Sequence, residues 1–284
     1  FLGKGYNFSW GSKRENFLFN GNHEVNLLDF DRYLDLHRYK FKNDDYELGG
    51  YCILNYNNRT IAMDIGSSPE KKYSENYQSG TLSFEFIYKG KKLICNSGYF
   101  QDFKHQLNKI SKTSAAHSTL VLNNTSACSF KKNKLGANIL DKGLKSFNNE
   151  VIKNKNFWSI KCSHDGYSKD YGVIHERTLK FYLNQNKISG VDKLIKKNNF
   201  KSSSFEIRFH LMPYAKITKT QDNKSILIEL ENSGWRFYSN NGSIDIETGL
   251  YFGKKNTFNE NQNIFISGLT QKDEQLIEWE ITKI

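Results

Sequence analysis

From about Tyr46 to the C-terminus, short runs rich in Phe, Tyr, Ile, Leu and Val follow one another, with turn-forming residues between them. In the run 205–212, Phe205, Ile207, Phe209 and Leu211 share one face, and Glu206, Arg208, His210 and Met212 the other. Ile226, Ile228 and Leu230 alternate in the same way, the period of a strand with one buried face. Asn57-Asn58 between 51–56 and 59–65, and Lys89-Gly90 between 81–88 and 91–96, are hairpin signals. Further runs are expected at 117–122, 158–164, 174–183, 187–191, 205–212, 214–220, 225–230, 235–239, 244–252, 263–269 and 276–282. Gln185-Asn186, Gln221-Asp222-Asn223 and Asn240-Asn241-Gly242 supply turn chemistry between them. With no internal repeat, the pattern predicts a mainly β fold, a large antiparallel β-sandwich over residues 46–284.

Residues 1–45 read differently. Val25, Leu27, Leu28, Phe30, Tyr33, Leu34 and Leu36 recur near the 3.6-residue period, predicting one amphipathic helix over 24–41. A lone helix cannot bury its own face, so it is expected to end a helical unit and to pack on the following sheets or on something outside this chain. Phe1 is not an initiator Met and no apolar run of signal-peptide length opens the chain, which reads as a fragment or a processed product. No apolar window of about 18 residues exists, so no transmembrane helix is expected. The four cysteines, Cys52, Cys95, Cys128 and Cys162, form no CxxC pair and read as buried thiols.

The chain carries 41 Lys and Arg against 30 Asp and Glu, a net charge of +11. A diffuse basic surface accounts for this; so does attraction to a polyanion, either nucleic acid or an acidic polysaccharide. No helix-turn-helix, zinc-finger or RNP-type motif favours nucleic acid, and none is expected as a partner. Among seven histidines, His117 enters the run Leu120-Val121-Leu122. His164 and His175 lie eleven residues apart around a turn holding Gly166 and Gly172, where a hairpin would bring them together beside Tyr167 and Arg177. Each also reads as a hydrogen-bonded structural residue. Trp235 and Trp279 are expected in the core or between the sheets, and Arg208 in a cross-strand ion pair or exposed to solvent.

The segments Gly80-Thr-Leu-Ser-Phe-Glu-Phe86, Leu93-Ile-Cys-Asn-Ser-Gly98 and Ala116-His-Ser-Thr-Leu-Val-Leu122 resemble the C-terminal sheet domain of the heparinase II/III-like polysaccharide lyases. So do His164-Asp-Gly-Tyr167, His175-Glu-Arg177, Ile207-Arg-Phe-His-Leu211, Gly234-Trp-Arg-Phe237 and Tyr251-Phe-Gly253, in the same order. Leu18-Phe-Asn-Gly21 and the helix after it resemble the end of the α/α-toroid domain that precedes those sheets, which makes 1–45 a toroid remnant.

The resemblance implies a lyase that cleaves an acidic, uronate-containing glycan by β-elimination, and a cell-envelope or periplasmic setting. It matches His117 to a sheet-borne histidine that faces the cleft and helps bind the uronate, the catalytic candidate here. Tyr167, His164, His175 and Arg177 are the candidate substrate-binding residues, with Tyr167, His175 and Arg177 assigned by local context. His164 also matches a position that ligates a structural zinc in some relatives. Their second histidine is replaced by Thr119, so no metal or cofactor is expected. The principal base and acid of the family come from the toroid, so this chain by itself is expected to turn over little or no substrate. The alternative is a non-catalytic carbohydrate-binding or structural β-module.

Overall fold

The computed structural model of the chain describes residues 47–240, 243–253, 256–271 and 274–284. The expected N-terminal helix lies outside these residues. Five antiparallel strands form the first sheet in chain order: β1 (Glu47–Leu48), β2 (Tyr51–Tyr56), β3 (Arg59–Asp64), β4 (Phe84–Tyr88) and β5 (Lys91–Ile94). Asn57 and Asn58, and then Lys89 and Gly90, all have positive φ, the backbone that lets a two-residue turn follow the strand twist. Both hairpins therefore fall where the sequence places them.

A four-stranded sheet follows in the order β17 (Ser243–Tyr251), β18 (Asn259–Leu269), β13 (Ser204–His210), β6 (Leu120–Leu122). A bridge between Cys95 and His210 joins it to the first sheet. The eight-stranded sheet runs β14 (Lys216–Lys219), β15 (Ser225–Leu230), β16 (Ser233–Ser239), β19 (Gln275–Lys283), β12 (Lys187–Lys196), β11 (Val173–Tyr182), β10 (Phe157–His164), β9 (Ser146–Lys153). A small hairpin, β7 (Ser129–Lys132) with β8 (Asn138–Lys142), stands apart from them. All strand pairs are antiparallel, as the alternating pattern requires.

The core fills the space between the eight-stranded sheet and the other two. Trp279 stacks on Phe84 at 5.4 Å and on Phe237 at 6.2 Å, while Phe209 meets its edge at 4.8 Å. Each ring comes from a different strand, and all three main sheets contribute, so the aromatic stack ties the layers together. Trp235 packs edge-on against Phe86 and Tyr88, a core role like that expected for both tryptophans. Gly190 makes this geometry possible, since a Cβ there would come within 2.1 Å of the Trp279 indole.

The structure departs from the sequence reading at several strands. β12 continues to Lys196, beyond the expected end at 191, because Ile188, Gly190, Asp192 and Leu194 all face inward, with Asp192 paired there by Arg177. β7, β8 and β9 were not expected; they are short or polar and lack a clean apolar face. Arg208 does form the expected ion pair, at 2.8 Å to Glu247, and a second with Glu206. His210, on the same strand face, is buried.

Candidate functional site

His117 follows a single 3-10 turn, Ser114–Ala116, and its extended backbone leads into β6. Its ring points back into the loops. Nδ1 lies 2.8 Å from the Thr113 carbonyl, which only accepts, so Nδ1 carries the proton. Nε2 lies 3.2 Å from the Gln78 carboxamide, whose NH2 end meets the ring's lone pair once the amide is turned. Gly80 makes room for the imidazole, since a Cβ there would stand 2.7 Å from Cδ2. The side chain is only 2% exposed. Burial lowers its pKa to about 4 against the opposing hydrogen bond to Thr113, and the ring is neutral near pH 7.

The residue after it is held from every side. Ser118 donates its N–H to Asn96 Oδ1 at 2.8 Å and its hydroxyl to the Cys95 carbonyl at 2.7 Å. The same hydroxyl accepts the His210 N–H at 2.9 Å, and the Ser118 carbonyl accepts Arg177 Nη1 at 2.6 Å. Asn96 is itself fixed, because its N–H donates to Glu85 Oε1 at 3.2 Å. Glu85 pairs with Lys92 at 2.8 Å in the interior. His210 lies beneath, with Nδ1 on the Ser97 hydroxyl at 3.2 Å and Nε2 on the Ala115 carbonyl at 3.0 Å. Burial, with His117 close by, lowers its pKa to about 3.

Arg177 reaches this point from the eight-stranded sheet. It faces inward on β11, opposite Asp192 on β12, and donates Nε to Asp192 Oδ1 at 2.7 Å and Nη2 to Oδ2 at 3.1 Å. Nη1 spans the core to the carbonyls of Leu82, at 2.8 Å, and Ser118. Asp192 also accepts Trp279 Nε1 at 2.8 Å and His175 Nε2 at 2.6 Å. Burial alone would raise the Asp192 pKa; Arg177 and His175 outweigh it and hold the carboxyl well below its usual range.

His164 and His175 are direct cross-strand partners, Nε2 to Nδ1 at 3.4 Å, so the β10–β11 hairpin does bring them together. A single order of protons satisfies this chain. The Gly166 N–H donates to His164 Nδ1, His164 Nε2–H donates to His175 Nδ1, and His175 Nε2–H donates to Asp192. Both imidazoles are pushed below their usual pKa, chiefly by burial. Tyr167 donates its hydroxyl to the Leu120 carbonyl at 2.8 Å.

Tyr167, His164, His175 and Arg177 thus all lie in the interior, with their polar atoms turned to protein partners rather than to a groove wall. The cause is their inward register on β10 and β11 and on the turn between them. Thr119 spends its hydroxyl on the Thr81 carbonyl at 3.3 Å, and His164 spends both ring nitrogens as above. No three His, Cys, Asp or Glu side chains among the described residues converge as metal ligands.

Sequence reasoning missed Gln78, Asn96 and Asp192. Asp192 left a signal, a carboxylate at an inward position of an alternating strand; the other two sit on loops with no pattern to mark them.

The Heparinase II/III-like C-terminal family matches residues 41–280. No curated protein sequence matches the chain significantly. Among solved structures, a mutant of the heparan sulfate lyase HepC from Pedobacter heparinus superposes with a TM-score of 0.70 at 14% identity, over 96% of this chain and 42% of that one. A heparinase III superposes at 0.68 and 14% identity, over 95% and 43%, and the heparinase III BT4657 gene product at 0.67 and 15%, over 96% and 42%. The chain therefore spans about two-fifths of the length of these structures, and at such identity they show a shared fold. With the family matched across most of its length, this chain belongs to the heparinase II/III-like family, in the C-terminal region of that family.

Proposed function

We propose that this chain is the sheet domain of a polysaccharide lyase that cleaves an acidic, uronate-containing glycan by β-elimination. The observation that carries the reading is His117, a neutral imidazole with its proton fixed on Nδ1 and its Nε2 lone pair turned to the uncharged Gln78 carboxamide. The family match and the solved structures named as a heparan sulfate lyase and heparinase III support it.

In such a reaction a base removes the proton beside the uronate carboxylate. The electron pair forms a carbon–carbon double bond, the adjacent glycosidic C–O bond breaks, and the leaving oxygen takes up a proton. Charge builds on a group already anionic, so neutral or cationic donors must stabilise it. The resemblance gives the principal base and acid to the toroid domain and the uronate to His117. Binding exchanges the Gln78 carboxamide for a sugar group at Nε2. Tyr167, His164, His175 and Arg177 act from behind, fixing the strands and loops that hold His117. A net charge of +11 draws anionic chains toward the protein. The same reading places it in the cell envelope or periplasm.

The test is absorbance of the unsaturated uronate after the full-length protein is mixed with a panel of acidic glycans. Product from one of them is expected, and His117→Ala should lower the rate roughly 100-fold or more. No product from any glycan, beside an active control lyase, ends the lyase reading; an unchanged rate in His117→Ala removes that residue from the site.

A further inference from the structure

Asn96 stands beside the 116–118 segment that carries His117. The chain at 96–97 runs along 116–118: Ser97 donates its N–H to the Ala116 carbonyl at 2.9 Å, and Asn96 Oδ1 receives the Ser118 N–H. The residue is pinned at both ends, by Glu85 at its backbone and by Ser118 at its side-chain oxygen. The pins are themselves held: Glu85 by Lys92, and Ser118 by Cys95, His210 and Arg177. An amide is planar, so fixing Oδ1 fixes Nδ2 as well. Nδ2 has no hydrogen-bond partner among the described residues, and the half-buried side chain keeps it within reach of solvent.

We propose that Asn96 is a substrate-recognition residue of the His117 site, and that its Nδ2 hydrogen-bonds an acidic group of the glycan, a carboxylate or sulfate. This rests on the lyase reading of that site. The chemistry suits the task. Two N–H donors, uncharged and already oriented, meet an anion without the cost of ordering a flexible side chain. Glu85, which receives the Asn96 N–H, is paired with Lys92. A purely structural Asn96 would need only its oxygen, to cap Ser118.

Asn96→Asp separates the two roles, because it keeps an oxygen for the Ser118 N–H and replaces both donors with a negative oxygen. The full-length protein, Asn96→Asp, and Asn154→Asp as a charge control in an exposed turn are titrated calorimetrically with heparan sulfate, the sulfated monosaccharide-free control being the neutral glycan maltohexaose. Asn96→Asp should bind heparan sulfate at least about tenfold more weakly with its melting temperature unchanged, since a preorganised charge-assisted contact is replaced by repulsion. Asn154→Asp should stay within about twofold, as a distant solvent-screened charge. Where turnover is measurable, KM should rise more than kcat falls. Binding by Asn96→Asp within twofold of the parent, an equal loss in Asn154→Asp, or equal affinity of the parent for maltohexaose overturns the assignment alone. A parent protein that binds no heparan sulfate overturns the reading of the site together with it.

Discussion

Asp192 is the acceptor for four donors that arrive from the two neighbouring strands, two from Arg177 and one from His175 on β11 and one from Trp279 on β19. In Asp192→Asn one of the two oxygens becomes an NH2 that faces donors, and the buried Arg177 guanidinium loses its counter-ion. Removing one partner of a buried ion pair costs about 3–5 kcal/mol. Unfolding entropy near 2.1 cal/mol/K per residue gives about 0.6 kcal/mol/K for a chain of this length, so the expected fall in melting temperature is about 5–8 °C. The contribution also has a pH signature. The folded carboxyl is depressed, so its stabilisation is present above the ordinary Asp pKa and fades as pH falls toward the folded value. Thermal melts by circular dichroism at pH 7 would measure the shift. The double variant Asp192→Leu with Arg177→Met should lose less than Asp192→Asn, because it removes both charges rather than stranding one. A shift under about 2 °C for Asp192→Asn, or a double variant worse than the single, would refute the account of Asp192 as the centre of the core network.

Acid should destabilise the fold early. His117 and His210, held to about 4 and about 3, stay neutral in the folded chain while the unfolded chain takes up protons below about 6.5, so each costs up to about 1.4 kcal/mol per pH unit on the way down; burial pushes His164 and His175 the same way. Asp64 and Glu85, both raised by burial to about 7, oppose this with the other sign, and the depressed histidines are the larger group. The urea midpoint should therefore fall between pH 6.5 and 4; a flat profile contradicts the reading. Lys112 is fully buried, donating to the Glu75 and Asn138 carbonyls with Tyr99 and Phe130 around it, and burial lowers its pKa to about 8. The parent should gain stability on Lys112→Met as pH rises from 8 to 10, by up to about 1.4 kcal/mol per unit; parallel pH curves would count against it. Gly80→Ala should push the His117 ring aside, costing roughly 1–3 kcal/mol and shifting the His117 imidazole resonances. Spectra that superpose on the parent's would show that the close approach does not matter.

The sandwich is legible in the sequence because its inner and outer faces alternate. Phe205, Ile207 and Phe209, or Ile226, Ile228 and Leu230, face the core as their spacing demands. The same rule explains what was missed. Edge strands such as β9 carry little apolar signal, and Asp192 interrupts an apolar face with a charge whose partner lies on the neighbouring strand. Family resemblance singles out His117, yet the features that define its state are remote in sequence: Gln78 is 39 residues away and Gly80 only fits once the loops meet. His164 and His175 are paired as their hairpin predicts, but the inward register of that hairpin becomes visible only when every strand of the sheet is placed.

The cysteines carry a consequence for the reactivity of the folded sheets. Cys52, Cys95, Cys128 and Cys162 are all buried and no disulfide joins them. Burial raises the Cys95 thiol well above its ordinary range, Cys128 to about 11 and Cys162 to about 12, so little thiolate forms at neutral pH. Once closed, the sandwich offers almost nothing for glutathione or an oxidase to attack.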